Sequence, residues 1–486
     1  MKPFRLPAAC VVASLAALVG LAAPAPAAVV EAQDDACAVG PPSCVAELKV
    51  SGGDGERNDL MLTPDGDAIV VADAGAPLVV IRGCERREDG TVRCRLGKPI
   101  TQVVVQTGTE DDVVRAPLPA VDLVTAGLGT GNDRFEGDGK EVWGQGDEGA
   151  DVLVNLGSGA SDLEGRAGDD TLTGGAGADD LQGGPGRDAL AGGAGDDELQ
   201  GVDFDEPGPL DVERPEADVL DGGAGADRVT YAQRRIDVSV DLADPAPDGA
   251  PGEGDVLRDV ENVQGGIGAD RLSGDGGANV LAGENGPDTI SGRGGDDDLR
   301  GGYHGDFRRP QSRRADVVDG GPGDDRVAVA GRGLLTGGPG DDALATGRLR
   351  PSSSSADCGP GADVVRVSRG TTPGVDGSCE RWAVKLLLVR GRLTRHAMSV
   401  PTLRGGVARL TIPCSPVLGR RCIMTLDIRD GARLLARDRE VVRPGRRARL
   451  SARVRGRLPG TVTVLVEVRR RRVSRIRGGI VVRTRG

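Results

Sequence analysis

Apolar residues recur every nine positions over residues 165–200 and again over residues 265–300. Each nine-residue unit begins with glycines, has Asp or Asn at position six, and has Leu or Ile at position eight. Glycines at the start permit a tight loop. A three-residue strand then turns only its middle side chain inward. The pattern predicts a coil of short parallel strands around a thin aliphatic column, with one unit in each of two sheets.

Residues 18 apart lie above one another in such a coil, because each turn contains two units of nine. The stacked pairs at position six are Asp170 with Asp188, Asp179 with Asp197, Asp270 with Asp288, and Asn279 with Asp297. Stacked carboxylates repel unless a cation lies between them, and carboxylate and carbonyl oxygens are the ligands that Ca²⁺ prefers. A disordered Gly/Asp-rich tract is the alternative, but disorder does not explain a fixed period.

The unit resembles the RTX (repeats-in-toxin) nonapeptide, G-G-x-G-x-D-x-U-x. The resemblance covers roughly residues 126–366 and implies a β-roll that folds on several Ca²⁺ ions outside the cell. The candidate calcium ligands are the position-six residues: Asp133, Asp151, Asp170, Asp179, Asp188, Asp197, Asp227, Asp270, Asn279, Asp288, Asp297, Asp325, Asp342 and Asp363. In the unit at 156–164 that position is Ser161, so we expect the shape to persist there with weaker or absent metal.

The fold class expected is all-β: a calcium-bound parallel β-roll between a small N-terminal β region and a C-terminal β-sandwich-like domain. The predicted divisions are a secretory signal (1–28), a disulfide-stapled β region (29–126), the roll (127–366), a disulfide-closed cap (367–383) and a basic domain (384–486). Insertions are expected at 201–217, 231–263 and 303–315. In the leading region we predict two hairpins, 60–62 with 68–71 and 78–82 with 92–95.

The N-terminus combines basic residues, a short apolar run and small residues near position 28, which is typical of a cleaved signal peptide. Outside that run, eight cysteines form four local pairs: Cys37/Cys44, Cys84/Cys94, Cys358/Cys379 and Cys414/Cys422. Export favours disulfides between neighbours, although sequence alone leaves other pairings open. Zinc is disfavoured because no CxxC pair exists and no histidine lies near these cysteines.

Positive and negative charges are concentrated in different parts of the chain. Residues 384–486 contain 27 Lys/Arg and 5 Asp/Glu, a net +22, which leaves −35 for the remainder. The arginines at 469–472 could bind a polyanion such as a cell-wall polymer. The alternative is a solvated strand face, and there are no interleaved aromatics for base stacking, so no specific nucleic acid is expected.

Catalytic motifs are missing from the sequence. The two histidines, His304 and His396, stand apart, and there is neither H-E-x-x-H nor G-x-S-x-G. We therefore expect a secreted, non-enzymatic calcium-binding protein that serves as a scaffold or spacer, with no membrane span after signal cleavage. The alternatives are an adhesin or glycan-binding protein that uses the basic domain, and a carboxylate-based glycan hydrolase. A signal at the N-terminus and over a hundred residues after the repeats depart from many RTX toxins and favour the general secretion route. The oligomeric state is left open.

Overall fold

The computed structural model describes residues 28–36, 45–53, 55–201, 216–232, 234–245, 247–302, 315–330, 333–346, 355–367, 374–375 and 381–384, and the backbone of the strands between 402 and 483. Every regular element in these ranges is a β-strand, which confirms the all-β prediction. No helix in the described ranges is long and apolar enough to cross a membrane. The predicted signal peptide, both histidines, the Cys37/Cys44 pair and most of the insertions at 201–217 and 303–315 lie outside these ranges.

One long sheet, sheet A, runs along the whole roll and contains 17 strands. Strands are numbered along the chain, and the order across sheet A is β5 (Val79–Arg82), β1 (Val29–Ala36), β2 (Val45–Ser51), β8 (Gln102–Thr109), β10 (Leu123–Thr130), β12 (Glu141–Glu148), β14 (Ala160–Ala167), β16 (Asp180–Gln182), β18 (Glu198–Gln200), β20 (Arg228–Thr230), β23 (Asn262–Gln264), β25 (Val280–Ala282), β27 (Asp298–Gly301), β29 (Arg326–Val329), β31 (Ala343–Thr346), β33 (Val364–Val367) and β35 (Arg381–Val384).

The opposite wall is divided between two sheets of 11 strands each. Sheet B contains β6 (Cys84–Arg86), β7 (Val92–Cys94), β4 (Ala68–Asp73), β3 (Asp59–Asp65), β9 (Val113–Pro117), β11 (Arg134–Asp138), β13 (Val152–Asn155), β15 (Thr171–Gly175), β17 (Ala189–Ala194), β19 (Val219–Ala224) and β22 (Val256–Arg258). Sheet C contains β21 (Ser239–Asp241), β24 (Arg271–Ser273), β26 (Thr289–Ser291), β28 (Asp316–Asp319), β30 (Gly333–Thr336), β32 (Ser355–Asp357), β34 (Gly374–Val375), β42 (Ser474–Arg483), β41 (Thr461–Arg470), β38 (Cys422–Asp430) and β39 (Arg433–Val442).

Parallel pairing in the predicted register builds the roll. Leu172 pairs with Leu190 in sheet B and Leu181 pairs with Leu199 in sheet A, each 18 residues apart. All four side chains are buried and join one apolar cluster that fills the space between the walls. The unit with Ser161 keeps this shape, since Leu163 is buried and β14 pairs with both neighbours. These observations confirm the parallel β-roll.

The leading region joins both walls of the roll. Strand β8 pairs in parallel with β10, and β9 pairs in parallel with β11, so the sheets continue without a break past residue 127. The boundary predicted there therefore marks a change in sequence pattern within continuous sheets. The first predicted hairpin is present as β3 and β4.

The second predicted hairpin is wrong in its first strand. Strand β5 lies in sheet A, in parallel with β1, while β6 supplies the antiparallel partner of β7. Gly83, at φ +70°, separates β5 from β6 and lets the chain change sheets. The Cys84–Cys94 disulfide is present across β6 and β7, as predicted. Cys358 is also disulfide-bonded, but its predicted partner Cys379 lies outside the described residues.

The insertion at 231–263 is built into the wall between sheets B and C. Antiparallel bridges join Asp248 to Asp255 and Gly249 to Ser239, and thereby connect the end of sheet B with the start of sheet C. Apolar residues alternate with polar ones over 236–242, which predicts a strand with one buried face. The strand is present only as β21, and Ile236, which the alternation places on the buried face, is exposed. We call residues 231–263 the junction.

In the basic segment, alternating apolar and polar residues predict strands over 409–413, 423–428, 447–454, 461–468 and 480–483, and a strand overlaps each of these stretches. Besides β38, β39, β41 and β42, it contains a three-stranded sheet of β36 (Thr402–Arg404), β37 (Val407–Pro413) and β40 (Arg447–Arg453). Strand β42 pairs with β34, so these strands extend sheet C. The sandwich arrangement itself stays a prediction.

Candidate metal centre

The loops between strands nest closely from layer to layer. Gly184 and Gly186 have φ values of +115° and +147°, in the region that side chains rarely adopt. A Cβ at either residue would overlap the carbonyl oxygen of Arg166 or Gly168 in the preceding layer. Glycine is thus required at Gly184 and Gly186 by backbone conformation and by the spacing between loops, although the unit of the preceding layer places Arg166 at position two, with φ +74°.

The position-six residues form hydrogen-bonded ladders. In each ladder the backbone N–H of one residue donates to the first side-chain oxygen of the next, as Asp170 does to Asp188 Oδ1 at 2.8 Å. The ladder along sheet B runs Asn58, Asp112, Asp133, Asp151, Asp170, Asp188, Asp218 and Asp255, with distances of 2.6–3.1 Å. A cation was expected between stacked carboxylates, but an amide hydrogen bond already links each carboxylate to the layer before it.

Sheets A and C carry equivalent ladders. Along sheet A one ladder runs Ser161, Asp179, Asp197, Asp227 and Glu261, and another runs Asn279, Asp297, Asp325, Asp342 and Asp363. Along sheet C the ladder runs Val238, Asp270, Asp288 and Asp316. All fourteen residues singled out in the sequence are therefore brought into ladders, and all are buried.

The second carboxylate oxygen separates these residues into two groups. For most of them Oδ2 is buried and receives no hydrogen bond within the described part of the chain. These residues are Asp133, Asp151, Asp170, Asp179, Asp188, Asp197, Asp227, Asp288, Asp297, Asp325 and Asp342. Such atoms are uncommon in folded proteins and each calls for a partner, an ion included.

Asp270 and Asn279, at the start of the second block, differ from this group. Asp270 Oδ2 accepts the N–H of Gly266 at 2.7 Å. Asn279 accepts the N–H of Asp275 at 2.9 Å and donates to the Glu261 carbonyl at 2.9 Å. Both side chains are satisfied by the protein itself, so they are the weakest of the candidate ligands.

A carbonyl oxygen accompanies the unpartnered oxygen. A Cβ on Gly174, at position one, would lie 2.5 Å from Asp179 Oδ2 and 2.7 Å from the Gly192 carbonyl oxygen of the next layer. The same pairing recurs at Gly146, Gly192, Gly292, Gly320 and Gly337. Because glycine has no side chain, position one leaves a space between a carboxylate oxygen and a backbone carbonyl oxygen of the next layer. We call this space the cradle.

Burial raises the pKa values of the ladder carboxylates. The pKa rises to about 8 for Asp188 and Asp288 and to about 7 for Asp133 and Asp342, in each case chiefly through desolvation. It rises to about 6 for Asp151, Asp170, Asp197 and Asp297 for the same reason. The ladder N–H opposes this shift and neighbouring carboxylates add to it. The ionised form is therefore costly unless a cation compensates it.

A second ladder, at position five, links the loops on their exposed side. Asp169 accepts the N–H of Arg187 at 3.0 Å, and Asp324 accepts the N–H of Asp341 at 2.7 Å. These bonds run in the opposite direction along the chain to those at position six. Asp or Asn recurs at position five in many units, a signal for this second ladder that the nine-residue pattern of positions six and eight does not include.

Four buried ladder acids were missed in the sequence: Asp112, Asp218, Asp255 and Asp316. Asp218 and Asp316 each stand two residues before a buried apolar residue and shortly before a Gly-Gly pair. This second half of a repeat unit could have identified both aspartates from the sequence. The insertion before it replaces the first half, so the repeat was not recognised. At Asp112 the unit keeps only Gly108 and the apolar Val114, which is a weaker signal.

The residues present fit calcium. No three Asp, Glu, His or Cys side chains converge on one point within the described ranges. A cation in the loops would therefore take one or two carboxylate oxygens and complete its shell with backbone carbonyls, the oxygen-rich set that Ca²⁺ accepts.

A parallel β-roll with nested, carboxylate-bearing loops defines a calcium-binding solenoid. The RTX calcium-binding nonapeptide repeat family matches residues 156–190, 164–199, 216–232, 259–290, 273–302 and 312–331. The chain thus carries RTX calcium-binding repeats, which confirms the resemblance seen in the sequence. No curated protein matches the chain. The layers with Asp133, Asp151, Asp342 and Asp363 fall outside the matched segments, yet share the ladder geometry.

Proposed function

We propose that the chain is a secreted, non-enzymatic calcium-binding protein whose roll folds on Ca²⁺ and serves as an extracellular scaffold or spacer. The observation that carries this proposal is the series of buried Oδ2 atoms that receive no hydrogen bond from the described residues; several of them, including those of Asp151, Asp179 and Asp297, lie beside a backbone carbonyl of the next layer. Asp170 and Asp188 are representative ligands in the first block, and Asp297 and Asp325 in the second.

Folding and metal binding are coupled by the cost of these carboxylates. An ionised carboxylate taken out of water without a partner is strongly destabilising. Because the cradle exists only when successive loops are stacked, the free energy of binding becomes free energy of folding. Outside the cell, calcium is plentiful enough to occupy such loops, whereas a cytosolic chain would meet little of it. Export before folding is consistent with this coupling.

The ladder geometry also supports a non-enzymatic role. The buried carboxylates hold backbone amides, which is a structural task. The cavity at the junction contains Asp218 and Asp255, the pair that a carboxylate-based hydrolase would suggest. Asp255 accepts the Tyr231 hydroxyl on Oδ2 and the Asp218 amide on Oδ1, so it is not free for a substrate, and Asp218 accepts the Asp188 amide on Oδ1.

The test is a calcium titration of the full chain followed by far-UV circular dichroism. We expect a coil-to-β transition with Ca²⁺ that Mg²⁺ at the same concentration does not reproduce, because Mg²⁺ dehydrates reluctantly and demands octahedral geometry. An Asp170→Asn, Asp297→Asn variant should need more calcium for the same transition. The matched control is Asp169→Asn, Asp296→Asn, at exposed position-five sites. Full β signal in chelator, with no bound calcium, would refute the proposal.

A second function is favoured by charge alone. The net +22 of residues 384–486 suits a polyanion at the cell surface. Binding of the calcium-loaded chain to a phosphate-bearing wall polymer, with a neutral glycan as control, tests this role. Salt-sensitive retention on the anionic polymer only would support polyanion binding. Retention on the neutral glycan would indicate glycan recognition instead. If neither polymer retained the chain, both kinds of binding would be contradicted and only the scaffold role would remain.

A further inference from the structure

An acidic cluster lies at the N-terminal end of the sheet B ladder, outside every segment that matches the RTX repeat. It contains Glu56 and Asn58 from the loop before β3, Asp73 at the end of β4, and Asp112 from the loop before β9. Asn58 and Asp112 are 0% exposed and Glu56 is 6% exposed. This is an unusual concentration of acid for the interior of a protein.

Asp112 shares the ladder bonds of the repeat aspartates, and its Oδ1 also accepts the Asn58 side-chain amide at 3.2 Å. Its Oδ1 accepts the N–H of Asn58 at 2.6 Å, and its own N–H donates to Asp133 Oδ1 at 2.7 Å. Its Oδ2 is buried and receives no hydrogen bond from the described residues. Asp112 therefore continues the ladder and, like the repeat aspartates, presents an unpartnered oxygen.

The other members of the cluster bring further unpartnered oxygens from separate elements. Asp73 Oδ1 accepts three backbone N–H groups, from Asp59, Gly75 and Ala76, at 2.8–3.2 Å. Its Oδ2 is buried and, within the described ranges, has no donor; the same holds for Asn58 Oδ1. Two carboxylate oxygens and one amide oxygen are thus held in place by backbone contacts without partners of their own.

The charges in this cluster compensate one another poorly. Burial is the main cause that raises the pKa of Glu56 and of Asp112; hydrogen bonds from Gly53 to Glu56, and from Asn58 and Thr107 to Asp112, oppose the rise, and the nearby carboxylate of Asp73 adds to it. The arginines on these elements are directed elsewhere: Arg57 is exposed, and Arg115 pairs with Asp59 at 2.8 Å. The cluster therefore has negative charge and oxygen donors in excess of its internal partners.

We propose that Glu56, Asn58, Asp73 and Asp112 form a calcium site that fastens the β3–β4 hairpin to the first layers of the roll. It differs from the repeat cradles because side chains supply most of its oxygens. Since no three acidic side chains in the described ranges already meet around one point, ligation includes a rotation of Glu56, whose hydrogen bond to Gly53 N–H is long at 3.3 Å. Carboxylate and amide oxygens in this number suit Ca²⁺.

The test combines calcium stoichiometry with hydrogen exchange on the full chain. The Glu56→Gln, Asp73→Asn variant keeps amide-oxygen acceptors for the backbone N–H groups while it removes two charges. We expect it to bind one Ca²⁺ fewer per chain than the wild type. We also expect it to lose calcium-induced protection in peptides covering 52–76, while peptides covering 165–200 respond as before. The matched control is Asp67→Asn, on the same hairpin, whose partner Arg95 is exposed.

The outcomes separate this site from the calcium-dependent roll. Protection by calcium at 165–200 but not at 52–76 in the wild type would overturn the N-terminal site and leave the proposed function intact. An unchanged stoichiometry in the double variant would overturn it as well. A wild-type chain in which neither region responds would contradict the proposed function too. If the double variant does not fold, Glu56→Gln alone should weaken binding at one site at least tenfold, and an unchanged affinity would count against the site.

Discussion

Asp188 and Asp255 lie two rungs apart on the same ladder, but their Oδ2 atoms differ in hydrogen bonding. Both are buried, and both accept a ladder N–H, at 2.8 Å from Asp170 and at 3.1 Å from Asp218. Asp188 Oδ2 meets no donor in the described chain, whereas Asp255 Oδ2 accepts the Tyr231 hydroxyl at 2.9 Å. Burial raises both pKa values, but at Asp255 the Tyr231 hydrogen bond and Arg234 oppose the rise.

The difference shows two ways to place a carboxylate inside a β-roll. The junction satisfies its acids with its own side chains: Tyr231 reaches Asp255, and Arg234 forms a buried ion pair with Glu253. Within the described repeat layers, most Oδ2 atoms of the position-six aspartates receive no hydrogen bond. Under the proposed function, a repeat layer takes its partner from solvent as an ion, whereas the junction supplies its own.

The largest expected effect comes from Asp188→Asn, and its sign should depend on calcium. The amide keeps an oxygen for the ladder but removes the buried charge. In chelator we expect the variant to be more stable than wild type by about 1–3 kcal/mol, the order of the cost of an unsatisfied buried group. With calcium it should be less stable by a similar amount, because one ligand is lost. Urea unfolding in both conditions measures the reversal.

Asp169→Asn is the matched control for this reversal. Asp169 is the exposed neighbour at position five, and its Oδ1 accepts one backbone N–H at 3.0 Å. Its substitution should change stability by less than about 0.5 kcal/mol in either condition. If Asp188→Asn lost the same stability with and without calcium, Asp188 would be a structural acceptor only, and the contrast with Asp255 would disappear.

The junction should show the opposite behaviour, a loss that calcium does not change. Tyr231→Phe removes the hydroxyl and leaves Asp255 Oδ2 buried without a donor. We expect a destabilisation of about 1–3 kcal/mol, equal in calcium and in chelator. Adding Asp255→Asn should recover part of it, because the orphaned atom is then uncharged. A loss that appears only in chelator would mean that a metal replaces the hydroxyl and that the junction belongs to the calcium ladder.

The roll itself could be predicted because its period is local. Position eight is apolar in each unit and position six is acidic in most of them, so Leu172, Asp170 and their counterparts 18 residues on identify the register directly. The direction of the ladder bond could not be predicted, because it depends on backbone N–H positions that only the stacked layers define. For that reason the cation was expected between carboxylates, where the structure places an amide.

The missed elements share a different cause. Asp218 and Asp316 follow insertions that replace the glycine half of the unit, so the nine-residue period is broken just before them. Tyr231 and Asp255 meet only after the chain returns through the antiparallel bridge at Asp248, a contact 24 residues apart with no periodic signal. Sequence periodicity identifies repeated contacts, and unique contacts remain hidden from it.

A further expected effect is a pH dependence that should separate the two kinds of acid. The folded-state pKa values of Asp188 and Asp288, about 8, and of Asp133 and Asp342, about 7, lie above the ordinary 3.8. Protonation therefore favours the metal-free fold: its stability is greatest below about pH 4 and falls as pH rises through the range 6–8. In chelator, β structure should accordingly increase from pH 8 to pH 5.

Calcium should remove this dependence in the repeat layers. A bound ion holds the carboxylates ionised, so binding near pH 7 should release protons. Calorimetry in two buffers of different ionisation enthalpy measures that release. The Tyr231→Phe variant should release as many protons as wild type, because Asp255 is outside the metal-binding set. No proton release, or β structure that increases with pH in chelator, would show that the repeat carboxylates are already compensated within the fold, as Asp255 is.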